Sequence, residues 1–103
     1  MGEFEQVVLL AVLQLGNEAY GMEVRQEIVA RTGRDVSVGA LYRTLARLEG
    51  KGFVSHSMGD PAPERGGRAK KFFRVETAGV EALERSHQTL DSMRRGLDLS
   101  RNR

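Results

Sequence analysis

The fold of this chain is decided by residues 37–74, which read SVGALYRTLARLEGKGFVSHSMGDPAPERGGRAKKFFR. The apolar residues at its start recur at three- and four-residue steps, which is typical of one face of an α-helix. They are Val38, Leu41, Leu45 and Leu48. Ser37 precedes them and has a side chain that caps helix N-termini, so we predict a helix from Ser37 to about Gly50-Lys51-Gly52. Its opposite face would carry small and basic residues, namely Gly39, Ala40, Arg43 and Arg47.

Two short apolar runs follow this helix and indicate a pair of strands. They are Phe53-Val54-Ser55-His56 and Phe72-Phe73-Arg74-Val75. The turn region between them is rich in Gly and Pro, and its basic residues are Arg65, Arg68, Lys70 and Lys71. A helix followed by a basic two-stranded wing is the layout of a winged helix-turn-helix. We therefore predict a mainly α fold with a small β-hairpin and a C-terminal dimerisation helix.

Two further helices are predicted ahead of this stretch. Apolar residues are so dense from Phe4 to Leu15 that this helix must be covered on most of its circumference, as a central or interface-forming element. Tyr20, Val24 and Ile28 then recur at four-residue steps through a second helix that Gly33 closes. Asp35-Val36 is the expected position of a small additional strand.

The last predicted helix carries a narrow apolar stripe, which we call the seam and which is typical of a helix that packs against one other helix. Thr77 is its expected N-cap, and the seam residues follow alternating three- and four-residue steps. They are Val80, Leu83, His87, Leu90, Arg94 and Leu97. We expect Ser100 to Arg103 to fray. Residues 1–76 would form the winged-helix domain and residues 77–103 the dimerisation helix of the same compact unit.

The composition bounds the classes of function. A chain of 103 residues is one domain, and its net charge of +2 is unevenly spread. Residues 65–74 hold five basic side chains and no acid, whereas residues 1–27 hold five glutamates against Arg25 alone. We therefore expect one positive and one negative surface. The absence of cysteine excludes disulfides, thiolate metal sites and cysteine nucleophiles.

The pattern also indicates a soluble, cytoplasmic protein with no membrane partner. The longest apolar run, Val7 to Leu13, is far shorter than the roughly twenty residues of a membrane helix, and no basic segment precedes it as a signal peptide requires. Catalytic, metal and cofactor sites are not predicted. His56 and His87 lie on different elements without ligand-spaced acids, and residues 66–71 lack the spacing of a phosphate loop.

DNA binding is the predicted function of the third helix and the wing. Small side chains in the first turn of such a helix allow close approach to base edges, and basic side chains of a wing contact phosphates or a minor groove. The predicted DNA-binding residues are Ser37, Val38, Gly39, Ala40, Tyr42, Arg43, Arg47, Arg65, Arg68, Lys70 and Lys71. In the alternative interpretation the arginines of the third helix only face water, and the basic residues of the wing only keep the hairpin soluble. The Tyr42 ring either packs or presents its hydroxyl to a phosphate.

Several segments resemble the PadR family of bacterial transcriptional regulators. They are Gly39-Ala40-Leu41-Tyr42-Arg43-Thr44-Leu45, Lys51-Gly52-Phe53-Val54, Gly67-Arg68-Ala69-Lys70-Lys71-Phe72-Phe73-Arg74 and Thr77-Ala78-Gly79, with Ala19-Tyr20-Gly21-Met22-Glu23 in the second helix. The resemblance implies a homodimer built through the N- and C-terminal helices, and repression of a nearby promoter that a signal relieves. For that dimer we predict contacts from Phe4, Val8, Leu83, Leu90 and Leu97, and a pseudo-palindromic double-stranded DNA operator.

Two questions stay open at this point. A winged helix can also serve as a protein-interaction adaptor, in which the basic wing docks an acidic partner without sequence-specific DNA binding. A small-molecule effector is the second question. Tyr20, Met22, Met58 and Met93 are candidates for an adaptable apolar site, although scattered methionines more often fill a core.

Overall fold

The computed structural model describes residues 1–59 and 70–102, with the side chain of residue 102 excepted. Its elements are α1 (Glu3–Gln14), β1 (Ala19–Tyr20), α2 (Gly21–Thr32), α3 (Val38–Gly50), β2 (Val54–Met58), β3 (Lys71–Val75), α4 (Thr77–Arg94) and a short 3₁₀ helix (Leu99–Asn102). The chain is mostly helical with a small antiparallel sheet of three strands in the order β1-β3-β2. This architecture confirms the predicted mainly α winged helix-turn-helix.

The core is built around α1. Val8, Leu9 and Val12 of this helix are fully buried, because α2, α3 and β3 all pack against it. The predicted central helix is therefore confirmed. One side of α1 stays open, since Leu10 is 40% exposed.

The third strand of the sheet is β1, whereas the sequence pattern predicted the additional strand at Asp35-Val36. β3 pairs with β2 from Val54–Val75 to Met58–Lys71, and its other edge pairs with β1 through Ala19–Phe73 and Tyr20–Phe72. The strand predicted at Asp35-Val36 is wrong. Those residues lie in the connection between α2 and α3, where the Val36 carbonyl accepts a hydrogen bond of 2.6 Å from Nε of Arg25. Tyr20 is accordingly the N-cap of α2 and not one of its helical residues.

The turn after α1 is fixed to the sheet by Asn17. This residue has a left-handed backbone with φ of 59°, and its side-chain amide makes two hydrogen bonds with the backbone of Val75, as a paired strand residue would. The Val75 N–H donates to Asn17 Oδ1 at 2.7 Å, while Asn17 Nδ2 donates to the Val75 carbonyl at 3.2 Å. The amide therefore extends the ladder of β1 and holds α1 against the end of β3.

The last helix begins in tight contact with the wing. Its N-cap is Glu76, one residue before the predicted Thr77, and the Glu76 N–H donates to the Phe53 carbonyl at 2.9 Å. A Cβ on Gly79 would lie only 2.5 Å from that same carbonyl oxygen, so α4 approaches β2 more closely than a side chain allows. After Ala82 and Leu83 the helix leaves the core, and residues 87–101 are exposed.

The C-terminal end differs from the predicted seam and frayed tail. The helix ends at Arg94, and Gly96 follows with φ of 85°, so Leu97 lies beyond α4. A positive φ of this kind terminates helices and is readily adopted by glycine. Instead of fraying, the segment forms the 3₁₀ helix Leu99–Asn102, where Asp98 caps the Ser100 N–H at 3.1 Å.

Candidate nucleic-acid interface

The start of α3 has the predicted cap. Ser37 Oγ accepts a hydrogen bond of 3.1 Å from the Ala40 N–H, which satisfies one of the free donors of the first turn. Leu41, Leu45 and Leu48 are buried as predicted, together with Thr44. Val38 is wrong as a member of that stripe, because it is 44% exposed. Val36 fills the core ahead of α3, which leaves Val38 on the outer surface beside Ser37.

The outer face of α3 carries a continuous exposed stripe. Gly39, Arg43, Ala46 and Gly50 form it, at steps of four, three and four residues. The sequence prediction included the first two and missed Ala46 and Gly50, although the helical period that identified the core stripe points to them as well. The small side chains leave the helix backbone open to close approach along its whole length.

Arg43 is the basic residue at the centre of this stripe. Its guanidinium lies back along the helix, and a Cβ on Gly39 would be 3.1 Å from one of its Nη atoms. No acidic side chain in the described parts of the chain pairs with Arg43. Within those parts of the chain its positive charge is uncompensated.

Arg47, another predicted DNA contact, lies on a different side of α3. Its Nε is 3.6 Å from Glu5 Oε2, and it also donates to Thr44 Oγ1 at 3.2 Å. Lys51 donates to the same Glu5 carboxylate at 3.0 Å. Arg47 therefore faces the start of α1, and part of its charge is already neutralised.

Glu5 is a nearly buried carboxylate, and two opposing effects act on its pKa. Burial by itself raises the pKa of Glu5, but the hydrogen bonds from Lys51 and from the Gly2 N–H, with the charges of Lys51 and Arg47, outweigh it and hold the pKa below its ordinary value. The ionised carboxylate thus joins the beginning of α1 to the end of α3. This link fixes the orientation of α3 on the core.

Tyr42 packs between three elements. Its ring meets Phe73 of β3 edge-on with centroids 6.3 Å apart, and its hydroxyl lies against Gly21, where a Cβ would overlap it. Even so, Tyr42 remains 39% exposed at the edge of the α3 stripe. The packing interpretation of this residue is therefore what the contacts support.

The wing contributes two of its four predicted basic residues to the described structure. Lys71 is exposed and pairs with no acid in the described segments. The ammonium of Lys70 lies 4.2 Å from the centroid of the Tyr20 ring. The predicted contacts Arg65 and Arg68 fall in residues 60–69, outside the described residues. A groove of about 400 Å³ separates β3 from the second half of α3, lined by Tyr42, Glu49, Lys71 and Phe73 among others.

His56 joins the wing to α3. Its Nδ1 is 2.8 Å from Glu49 Oε1, which connects β2 with α3. The sequence spacing had excluded this histidine as a metal ligand. Across residues 1–59 and 70–102 no group of three or more His, Asp or Glu side chains is arranged to hold a metal ion. Along the same residues no helix is both long and apolar enough to cross a membrane.

The predicted dimerisation residues divide into two groups. Val8 and Leu83 are buried in the core of the single chain, with 0% and 3% of their surface exposed, so they are wrong as surface contacts. Phe4 is half-buried, and Leu90 and Leu97 are more than half exposed. Met22, Met58 and Met93, named as effector or core candidates, are exposed on three different elements and neither fill the core nor share a site.

These features together define a class of protein. A capped second helix of a helix-turn-helix, exposed along its outer face and followed by an antiparallel wing, is a winged-helix domain. The chain belongs to the transcriptional regulator PadR-like family, whose model matches residues 9–85, and it is a transcriptional regulator of that family. The resemblance seen in the sequence is thereby confirmed.

Individual relatives agree with this assignment. Transcriptional regulator Rv3488 of Mycobacterium tuberculosis is 35% identical over 100 residues, covering 92% of this chain and 87% of that protein. Among solved structures, F93 from STIV, a winged-helix DNA-binding protein, matches with a TM-score of 0.74 at 19% identity over 95% of this chain and 98% of its own. A PadR family transcriptional regulator from Eggerthella lenta matches with a TM-score of 0.69 at 22% identity, covering 88% and 79%.

Proposed function

We propose that this regulator is a homodimeric, sequence-specific DNA-binding repressor of a nearby promoter. The observation that carries the proposal is the exposed α3 stripe, in which small residues flank an Arg43 that pairs with no acid of residues 1–59 or 70–102. An α-helix fits the major groove of duplex DNA, and small side chains let it lie deep enough for a charged side chain to reach base edges. A face that only met solvent would have no physical need for this arrangement.

The contacts follow from the position of each group. Ser37, Gly39 and Ala40 in the first turn approach base edges, and Arg43 donates to O6 and N7 of a guanine. Lys70 and Lys71 contact the phosphate backbone or a flanking minor groove. Arg65 and Arg68, outside the described residues, are proposed to extend that contact. Arg47, held by Glu5, contributes through its charge to the backbone and not through base reading.

The proposed dimer rests on surfaces that one chain leaves open. Leu90, Met93 and Leu97 are 54%, 74% and 58% exposed at the end of the chain. An apolar cleft of about 200 Å³ runs along α1 and α2, with Val7, Leu10 and Ile28 in its lining. We propose that the C-terminal segment of each subunit packs on α1 of the other, because both surfaces are apolar and neither is covered.

Dimerisation determines the form of the operator. Two α3 helices related by a twofold axis contact half-sites about 34 Å, or one DNA turn, apart, so the operator is a pseudo-palindrome. A dimer bound over a promoter excludes the transcription machinery, which is the basis of the proposed repression. A small-molecule effector would act by changing the spacing of the two helices.

Selection from random duplexes tests the proposal. The full chain is incubated with a random 30-base-pair pool, bound DNA is sequenced, and the affinity for the enriched site is measured by anisotropy over a salt series. We expect an inverted repeat and a steep loss of affinity with salt, since phosphate contacts release counterions. Equal affinity for all duplexes, with tighter binding to an acidic protein, would instead support the adaptor function.

A further inference from the structure

One basic residue of the wing is held by an aromatic ring. The Lys70 ammonium lies 4.2 Å from the centroid of the Tyr20 ring, which is the distance of a cation–π contact. The same ring stacks on Phe72 with centroids 4.0 Å apart and a tilt of 32°. Gly59 completes the cluster, because the Phe72 ring lies where a Gly59 Cβ would be.

Tyr20 is itself rigidly placed. It pairs with Phe72 in the β1–β3 ladder, and it is the N-cap of α2, where its N–H donates to Glu23 Oε1 at 2.9 Å. The Lys70 backbone is fixed as well, since its carbonyl accepts a hydrogen bond of 2.7 Å from the Gly59 N–H. Tyr20 is therefore anchored in β1, and Lys70 is anchored by the hydrogen bond of its backbone directly before β3.

We infer that Tyr20 is a positioning residue that orients the Lys70 ammonium for contact with a DNA phosphate. The inference rests on the proposed DNA-binding function. A free lysine side chain loses rotamer freedom when it binds, and a side chain already held over a ring loses less. The ring occupies one side of the ammonium and leaves the other N–H donors free for a phosphate oxygen.

Lys71, the first residue of β3, supplies a matched comparison directly after Lys70. It has the same charge and adjoins Lys70 in the chain, but it is exposed and has no ring contact among the described residues. The Tyr20 ring therefore contacts the ammonium of Lys70 and not that of Lys71. If the positioning role holds, loss of the ring affects DNA binding through Lys70, whereas an effect through the Phe72 stacking would not depend on Lys70.

A double-mutant cycle tests this coupling. Tyr20→Leu is expected to weaken binding to the selected operator and to random duplex alike, by about threefold, because the released Lys70 side chain then loses its rotamer freedom on binding. The loss should vanish in the Lys70→Gln background and persist in full in the Lys71→Gln background. Tyr20→Phe keeps the ring and should match the wild type in every background.

The outcomes separate this inference from the proposed function. A loss that persists in Lys70→Gln would mean that Tyr20 acts through the packing of the wing, and equal damage from Tyr20→Phe would assign the effect to the hydroxyl. Either result overturns the positioning role, as does an unchanged affinity in Tyr20→Leu, while operator binding by the wild type stands. A wild type that binds no duplex DNA overturns both proposals before any variant is made.

A second measurement checks the geometry without DNA. The ring current of Tyr20 should shift the Lys70 ε-methylene protons upfield in the NMR spectrum of the full chain. The shift should be retained in Tyr20→Phe and lost in Tyr20→Leu, with Lys71 unchanged in both. Equal chemical shifts for the ε protons of Lys70 and Lys71 in the wild type would contradict the contact itself.

Discussion

Gly39 and Arg43 lie on successive turns of the exposed stripe, and each affects what the other can do. The Arg43 guanidinium is beside the position that a Gly39 side chain would take, at 3.1 Å from its Cβ. The far end of an arginine moves easily, so a larger residue at Gly39 is compatible with folding. In the complex with DNA the same residue would both fill the gap to the groove and displace the guanidinium.

Operator binding should therefore be sensitive to both positions. We expect Gly39→Leu to lower operator affinity at least about tenfold, and Arg43→Ala to cost about 1 to 3 kcal/mol of binding free energy if the guanidinium reads a guanine. Thermal unfolding should be unchanged in both. Arg85→Ala is the control, because it removes the same charge from an exposed position of α4 that is neither on α3 nor in the lining of the cleft along α1 and α2. Wild-type affinity in both α3 variants would assign base reading to another element.

Glu5 links the acidic start of the chain to the basic end of α3, and its pKa predicts a pH effect. Because the folded-state pKa is lowered below 4.5, the stabilisation is complete above that pH and is lost as the pH falls through the pKa of the folded protein. At pH 7 Glu5→Gln should lower the free energy of unfolding by about 1 kcal/mol, and the difference from wild type should shrink as the pH falls through the lowered pKa of Glu5.

Urea unfolding at several pH values measures this difference. Glu3→Gln is the matched control on the same helix turn, because the Glu3 side chain is 77% exposed and its ion pair among the described residues is with the partly exposed Arg34. Exposed pairs of this kind contribute within about 0.5 kcal/mol. A Glu5→Gln variant that is as stable as the wild type at pH 7 would remove the link between α1 and α3.

Among the elements, α4 depends on one residue for its contact with the wing. Gly79 lies so close to the Phe53 carbonyl that the backbone of α4 or β2 must move to admit a methyl group. We expect Gly79→Ala to destabilise the fold by about 1 to 3 kcal/mol, the usual cost of overpacking, although alanine is the better helix former. Calorimetric unfolding measures the effect.

Gly50→Ala is the control that separates the steric effect at Gly79 from the effect of helix propensity. It also replaces a helical glycine by alanine, but no atom of the described residues lies within 4 Å of its Cβ position. This variant should be as stable as the wild type or slightly more stable. Destabilisation of the same size in both variants would attribute the loss at Gly79 to something other than its contact with Phe53.

At the scale of the whole molecule, the exposed end of α4 is the surface on which the dimer depends. Leu90 is 54% exposed in the single chain, so Leu90→Glu leaves the protomer core intact. We expect this variant to sediment as a monomer and to bind the operator much more weakly, because the second half-site is no longer tethered to the first. A wild type that is monomeric at micromolar concentration would exclude the dimer.

The control for this prediction lies on the opposite side of the same helix. Gln88→Glu adds the same charge two residues away, where a helix turns its side chain away from Leu90. It should remain dimeric with wild-type operator affinity. Dissociation of both variants would indicate charge repulsion between subunits and not burial of the Leu90 side chain.

The sequence by itself determined the elements with a strong local period. The prediction is confirmed for the buried residues Leu41, Leu45 and Leu48 of α3, for the Ser37 cap, for Gly33 at the end of α2 and for the two strands of the wing. Each of these features depends on residues within a few positions of one another. The exposed Gly39 and Arg43 followed from the same period. Ala46 and Gly50 could have been found by extending it by two turns.

Only the tertiary structure decided the features that join distant residues. The pairing of Ala19–Tyr20 with β3, the Asn17 contacts with Val75, the Glu5–Lys51 link and the Tyr20–Lys70 contact each connect residues about 50 positions apart, and none has a local pattern. The burial of Val8 and Leu83 in the core of the single chain was likewise not predictable from local sequence. An apolar residue on a helix is predicted to be covered, but whether its own chain or a second one covers it depends on how the helices pack.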